Sequence, residues 1–371
     1  MGRRVIENGV AKHYIWESYN KVQKRVNNFG SGLRKLGLNP KEPLGFFSIN
    51  SPEYMMGLLS CYQYNFITVP LYDTLGDEAI EYIINQTEMK YCLATATKGQ
   101  ALLKMKGKLS TLQTIIILGD YNQELADLAN NLNVKLTKFT EVENDGSKEP
   151  VEAENPKSDD IATICYTSGT TGSPKGVVLT HKNLMAVVAS IKFLSDKGKM
   201  FVSSPKEVHI SYLPLAHVLE LSTASTMVYG GSAIGFYQGD TLKLLDDIGE
   251  LKPTVFISVP RLLNRVYDRI MAGVEAKGGV GQWMFTTAFN IKKNGLNNKG
   301  NVDHWMWDRV VFAPIRAKLG GRVKTIVSGA APISSEVMDF LRIVFSADVY
   351  EGYGQTENGG CLTLVSVSFK L

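Results

Sequence analysis

Ile161-Ala162-Thr163-Ile164-Cys165-Tyr166 runs straight into Thr167-Ser168-Gly169-Thr170-Thr171-Gly172-Ser173-Pro174-Lys175-Gly176. The first six residues are a short apolar, partly β-branched run of the kind that forms a buried strand. The next ten are nearly all small or hydroxylic. A backbone that wraps a polyphosphate must approach closely and adopt conformations that glycine permits, while hydroxyls and N–H groups donate to the phosphate oxygens. Lys175 adds a mobile point charge. By composition alone the loop could be a Ser/Thr/Gly linker, but it leaves a buried strand, and its lysine is held between Pro174 and Gly176. Ligands of parallel α/β sheets collect beyond the carboxyl ends of strands, so this segment points to that fold class.

Working outward, strand and helix signals alternate. Tyr19, Val22, Val26, Phe29, Leu33 and Leu36 repeat at steps of three and four and stop at Gly37, with Pro40 beyond, which predicts an amphipathic helix. Ile80, Ile83 and Ile84 behind Asp77 and Glu78 mark a second helix, and Leu242 to Ile248 before Pro253 a third. Apolar runs at Thr114 to Leu118, His209 to Leu213, Thr254 to Val259, Arg322 to Val327 and Asp348 to Tyr350 predict further buried strands. The pattern is α/β: layered, largely parallel sheets with helices packed on both faces. Residues 141–160, acidic and without periodicity, read as a connector that delivers the chain into the strand at Ile161.

Composition removes several function classes. With 371 residues, 44% hydrophobic and 20% charged, the chain can bury a large core, so disorder is not the default reading. A net charge of +4, with the basic residues scattered, gives no nucleic-acid stripe. Cys61, Cys92, Cys165 and Cys361 have neither zinc nor disulfide spacing, which fits a reducing, intracellular setting. No uncharged apolar run approaches the roughly 20 residues of a membrane-spanning helix, so any membrane contact is expected to be peripheral or to lie in sequence absent here. The expected location is cytoplasmic or the cytosolic face of an intracellular membrane.

The loop is not a Walker A motif, which needs a glycine before the lysine and a Ser or Thr after it. Pro174 and Gly176 stand there instead. A P-loop phosphotransferase loses its main support.

A second motif lies far downstream: Tyr350-Glu351-Gly352-Tyr353-Gly354-Gln355-Thr356-Glu357, preceded by Gly329-Ala330-Ala331-Pro332. Together with the run from Tyr166 to His181, it resembles the nucleotide-site elements of the adenylate-forming, AMP-binding superfamily, in the same order. Val69 to Gly76, Leu213-Pro214-Leu215-Ala216-His217, Gly235 to Asp240 and Val259 to Arg265 are each similar to segments of long-chain fatty-acyl-CoA synthetases. The resemblance covers nearly the whole chain.

What the resemblance implies is a two-step ligase. A fatty-acid carboxylate attacks the α-phosphate of ATP, giving acyl-adenylate and pyrophosphate, and the thiol of coenzyme A then displaces AMP. Both steps would rest on positioning and electrostatic stabilisation rather than on a protein nucleophile. Thr167, Ser168, Gly169, Thr170, Thr171, Gly172 and Lys175 are expected at the phosphates. Gly329, Ala330 and Ala331 would line the adenine pocket, with Tyr353 as its stacking platform among Glu351, Gly352 and Gly354. Thr356 is expected at the α-phosphate and Glu357 at a magnesium ion, with the Thr167 hydroxyl as a second ligand. For His217 two readings stay open, a structural histidine or a role near the acyl carboxylate. Arg261 and Arg265 are expected in solvent, Trp283, Trp305 and Trp307 in the core, and Ser334 as a helix N-cap.

The family pattern also continues beyond Glu357-Asn358-Gly359-Gly360 into a ribose-binding Thr-Gly-Asp element, a hinge and a mobile lid with an essential lysine. None is found in residues 361–371. The resemblance therefore implies the large N-terminal domain with the C-terminal lid domain missing, and activity impaired in this chain. A catalytically silent nucleotide- or acyl-binding module, or a synthetase core for another carboxylate, stays open as an alternative. No protein partner is indicated.

Overall fold

The computed structural model describes residues 1–72, 76–167, 173–197 and 203–366. The chain forms two compact units. The first comprises Met1–Arg3, Trp16–Ala189 and Leu213–Thr223; the second comprises Arg4–Ile15, Ser190–Tyr212 and the chain from Ala224 onward.

The opening strands β1 (Gly2–Glu7) and β2 (Val10–Trp16) are joined by Asn8 and Gly9, both at positive φ (49° and 75°). Two consecutive left-handed residues make the tight turn whose twist suits a hairpin, and an Asn-Gly pair adopts it readily.

The first unit is built on β3 (Pro43–Phe47), β4 (Ile67–Pro70), β5 (Tyr91–Ala94), β6 (Thr114–Ile117), β7 (Lys135–Lys138), β8 (Ile161–Thr167) and β9 (Lys175–Thr180), in the order β7-β6-β5-β3-β4-β8-β9. All neighbours are parallel except β8 and β9. Every residue of β4, β5 and β6 is buried, which explains why these strands are short unbroken apolar runs rather than alternating ones.

The predicted helix is Tyr19–Leu36. Its N-cap Ser18 accepts from the Lys21 N–H, and Gly37 ends it at φ 101°. Its buried stripe of Val22, Val26, Phe29 and Leu33 meets a second helix, Phe139–Lys148. Phe29 stacks on Phe139 at 3.9 Å, and Arg25 grips both oxygens of Glu143 at 2.8 and 2.9 Å. A Cβ on Gly32 would collide with the Val142 carbonyl, and one on Gly146 with the Asn28 carbonyl. The two helices thus touch backbone to backbone, which only glycine allows. This corrects the reading of 141–160 as a connector. Its first part is helical, begun by a Glu141 carboxylate that accepts from the Lys138 N–H at 2.9 Å. Gly146 and the acidic residues hid the helix; only residues 149–160 connect.

The second unit carries β10 (Val208–Ser211), β11 (Ala233–Phe236), β12 (Val255–Ser258), β13 (Thr325–Ser328), β14 (Asp348–Gln355) and β15 (Gly360–Ser366), in the sheet order β15-β14-β13-β12-β10-β11-β1-β2. Strands β11, β10, β12, β13 and β14 run parallel, and β15 pairs antiparallel to β14. β14 extends five residues past the predicted strand end at Tyr350, because β15 supplies a partner for its second half. Leu244–Leu251 is helical as predicted and stops at Lys252, φ 53°.

Two tryptophans depart from expectation. Trp283 is 64% exposed and Trp305 84%, whereas Trp307 is half-buried. The helix Gly279–Lys299 buries Phe285, Ala288 and Lys292, a stripe that leaves Trp283 outside. Arg261 and Arg265 face solvent as expected, and Ser334 caps the helix Ser335–Phe345 by accepting from the Val337 N–H at 3.2 Å.

Candidate functional site

In the first unit the phosphate-type loop is closed by a ladder. Thr167 of β8 lies opposite Lys175 of β9, so the two residues flanking the loop are cross-strand neighbours with Cβ atoms about 5 Å apart. Beneath them the strand is firmly held. Cys165 and Tyr166 are buried, the Tyr166 hydroxyl donates to Gln86 Oε1 at 2.6 Å, and burial pushes that phenol up to about 12. Gly176 lies against Ile164 and the Tyr166 ring. Lys175 is exposed and Thr167 half-buried. Ser168, Gly169, Thr170, Thr171 and Gly172 lie outside the described residues.

The same unit contains His217, at the start of the helix Val218–Tyr229. Its Nδ1 accepts from the Leu219 N–H at 3.2 Å. Although the side chain reaches solvent, desolvation by its surroundings holds the imidazole below the ordinary histidine pKa. A neutral ring whose Nδ1 is an acceptor carries its proton on Nε2. The backbone leading to His217 is clamped from two sides. Asn50 donates from Nδ2 to the Leu213 carbonyl at 2.6 Å and accepts the Leu215 N–H at 2.9 Å, and the Tyr72 hydroxyl donates to the Ala216 carbonyl at 2.5 Å. Two segments about 140 residues apart in sequence, Val69–Tyr72 and Leu213–His217, are thereby joined.

In the second unit the site residues lie at the carboxyl ends of β13 and β14. Glu351 stands opposite Ser328 in the ladder and its carboxylate accepts the Ile333 N–H at 3.1 Å, which ties β14 to the turn Gly329–Pro332. Gly329 donates its N–H to the Ser258 carbonyl at 3.2 Å. Ala330 has φ 71°, a conformation that costs a residue with a Cβ roughly 1–2 kcal/mol. Ser328 is fully buried, and its Oγ has no hydrogen-bond partner among the described residues. Gly352 lies beside the Ser328 carbonyl.

Further along β14, the pairing shifts between Tyr353 and Gly354. A Cβ at Gly354 would collide with the Gly360 carbonyl oxygen. Tyr353 is 61% exposed, so it is a surface ring rather than a core one. Thr356, Glu357 and Asn358 form one turn of 3₁₀ helix. Asn358 Oδ1 accepts the Gln355 N–H at 3.1 Å and Gly359 closes the turn at φ 77°. The Glu357 carboxylate is exposed.

Tyr353, Thr356 and Glu357 therefore share one strand and turn, Gly329–Ala331 adjoin that strand through Glu351, and Thr167 is paired with Lys175. Among the described residues no three His, Cys, Asp or Glu side chains gather as a metal site. A lone exposed carboxylate suits magnesium that arrives on phosphate oxygens and keeps several waters. Asn50 and Tyr72 were not anticipated. Asn50-Ser51-Pro52 has the local form of a helix start, and indeed Ser51 caps Pro52–Gln63, but the reach of Asn50 to residue 213 has no local signature.

"Long chain acyl-CoA synthetase 6, peroxisomal" from Arabidopsis thaliana is 43% identical over 357 residues, 96% of this chain and 50% of that protein. Human "Long-chain-fatty-acid--CoA ligase 1" is 38% identical, over 95% of this chain and 51% of its own length. The chain thus spans about half the length of the curated relatives it matches. Among solved structures, the adenylation domain of a carboxylate reductase from Mycobacterium chelonae superposes with a TM-score of 0.80 at 20% identity, covering 98% of this chain and 56% of that one, which shows the shared fold. The AMP-binding enzyme family matches residues 2–370, and the chain belongs to that family.

Proposed function

We propose that this chain is the core of a ligase that activates a long-chain fatty acid with ATP, forming acyl-adenylate and then acyl-CoA. The observation that carries this reading is the junction of Val69–Tyr72 with Leu213–His217 through the Tyr72 hydroxyl, since both segments resemble those of the long-chain subfamily. The curated relatives named above carry long-chain acyl-CoA synthetase and ligase names.

In the first unit, Thr167, residues 168–172 and Lys175 hold the β- and γ-phosphates. Lys175 is suited to this because it is exposed at the loop's exit. His217, neutral with its proton on Nε2, donates toward the acyl carboxylate without adding a charge that would quench its nucleophilicity. In the second unit Gly329, Ala330 and Ala331 line the adenine, Tyr353 stacks on it, and Thr356 donates to the α-phosphate. Glu351 orients the adenine-lining turn rather than touching nucleotide. A carboxylate oxygen forms the new bond to the α-phosphorus while the bond to the bridging oxygen breaks, and pyrophosphate leaves with the electron pair. In the second unit the exposed Glu357 carboxylate would be the residue that holds a magnesium ion, which when bound would supply neutralisation of phosphate charge.

The test is exchange of labelled pyrophosphate into ATP with fatty acids of graded length. Exchange should rise with chain length, since each buried methylene contributes about 0.8 kcal/mol, until the pocket is full. A profile that peaks at acetate overturns the fatty-acid reading. A second reading is a nucleotide- or acyl-binding module without turnover. ATP binding without any exchange would select it.

A further inference from the structure

The helix Pro260–Lys277 of the second unit carries a glycine that no packing contact requires. Gly273 lies in its interior, and a Cβ there would meet nothing within 4 Å. Glycine inside a helix weakens it relative to alanine, so the helix is less stable for the space it leaves open.

That space is part of a groove. Val266, Ile270, Gly273 and Lys277 follow one another at steps of four, three and four, and so share one face of the helix. One apolar groove on this face, of about 380 Å³, is walled by Val266, Ile270, Leu319 and Phe345. Another, of about 200 Å³, continues past Gly273 to Met284 and Pro314. The two share Ile270 and Lys318 and form one track. Leu319 and Phe345 stand before β13 and β14, whereas the candidate nucleotide residues lie at the carboxyl ends of those strands. The track therefore borders the other end of the sheet.

Its rim is cationic. Arg269, Lys277 and Lys318 line the track, are exposed, and have no ion-pair partner among the described residues. Among those residues the one carboxylate in the lining is Asp246, which already accepts from Arg4 Nη2 at 3.1 Å. An apolar track rimmed by unpaired cations is complementary to a molecule with an alkyl tail and an anionic head. The tail displaces water from the apolar walls, and a guanidinium can take a carboxylate through parallel N–H bonds. A volume of about 380 Å³ lies at the small end of the range for ligand pockets, which suits a single chain rather than the paired chains of a diacyl lipid.

We propose that this track binds one molecule of a long-chain fatty acid, as its anion, at a site separate from the acyl site of the ligase reading. The carboxylate is held by Arg269 and Lys318, and the chain runs past Ile270 and Gly273 toward Met284. No phosphate- or adenine-site residue lines the track, so binding needs no nucleotide.

A palmitate with a photoreactive diazirine on its chain tests this. It is irradiated with the protein in the absence of ATP, coenzyme A and vesicles, and the labelled peptides are read by mass spectrometry. Label should appear on residues 260–277 and 310–319, and unmodified palmitate should compete it away while its neutral methyl ester does not. Competition should strengthen from octanoate to palmitate as more methylenes are buried. Arg269→Gln combined with Lys318→Gln should reduce this label about tenfold. Gly273→Leu should reduce it by filling the track, without lowering the thermal midpoint, because leucine is the better helix former and its Cβ has room. Label near Tyr72 and His217, where the ligase reading places the acyl head, should stay unchanged in both variants, which separates the two readings. No label on the two segments, equal competition by ester and acid, or undiminished label in both variants overturns the proposal. So does a concentration-dependent dimer that Gly273→Leu dissolves while palmitate leaves the track unlabelled.

Discussion

Both units use the same device, an antiparallel edge strand added to an otherwise parallel run, but the proposed site residues fall on opposite parts of it. In β8–β9 the strands are a fixed base and most of the proposed residues belong to the segment between them. Cys165 and Tyr166 are buried, and Tyr166 is bonded to Gln86. In β14–β15 the strand itself carries them: Tyr353 is exposed, the ladder slips beside it, and the turn of Thr356 and Glu357 follows directly. A parallel strand opens its carboxyl end to ligand, and a tight hairpin there can present either a loop or a strand face. In the second hairpin two glycines are required for different reasons, Gly354 by close approach of the Gly360 carbonyl and Gly359 by its positive φ.

Substitution of the glycines should separate the two hairpins most clearly. Gly354→Ala has no room beside the Gly360 carbonyl and should cost about 3 kcal/mol with loss of ATP binding, whereas Gly176→Ala meets only side-chain atoms at 3.0–3.3 Å and should cost about 1 kcal/mol. Denaturant unfolding and nucleotide titration of both variants measure this, and equal costs would break the comparison. Next in size, Lys175→Ala should weaken ATP binding at least tenfold while leaving stability within about 0.5 kcal/mol, because its side chain is exposed. Hydroxyl removal sharpens the point further. Tyr166→Phe should lose about 1 kcal/mol of stability with its Gln86 bond, and Tyr353→Phe nothing measurable by the same assay.

The smallest effect is a pH dependence confined to the first hairpin. His181, which follows β9, has a buried Nε2 with no partner among the described residues and a pKa pushed below 6.5 by desolvation. The folded state then binds fewer protons than the unfolded one, so stability is full above about pH 6.5 and falls as pH drops toward the lowered value. Amide protection in β9, corrected for the intrinsic exchange rate at each pH, should fall between pH 7.5 and 5.5 more than in β15, and His181→Asn should flatten the difference.

Much of this was legible because it is local. The stripe from Tyr19 to Leu36 reveals its helix by period, and the short apolar run at Thr114 its buried strand by composition. The misreadings share one cause, dependence on distant partners. The helix over 139–148 shows few apolar residues because Gly146 is there to admit the Asn28 carbonyl. β14 looked short because its second half is apolar only on its partner, and Trp283 looked like core because no period shows which way a lone tryptophan on a mixed helix will face. Of the candidate site, the residues proposed are those that the motif resemblance named. The bracing by Asn50, Tyr72 and Glu351 was not legible, since hydrogen bonds over long separations leave no spacing behind.

The glycine-to-carbonyl contact between the helices Tyr19–Leu36 and Phe139–Lys148 also sets a timetable for synthesis. Gly146 leaves the ribosome more than a hundred residues after Gly32, a delay of roughly 5–20 s at ordinary translation rates. Through that interval the Val22-to-Leu33 stripe has emerged but lacks the helix that covers it. The nascent chain therefore passes through a sticky stage early, and chaperone occupancy should peak before residue 146 emerges and fall once Phe139 can stack on Phe29.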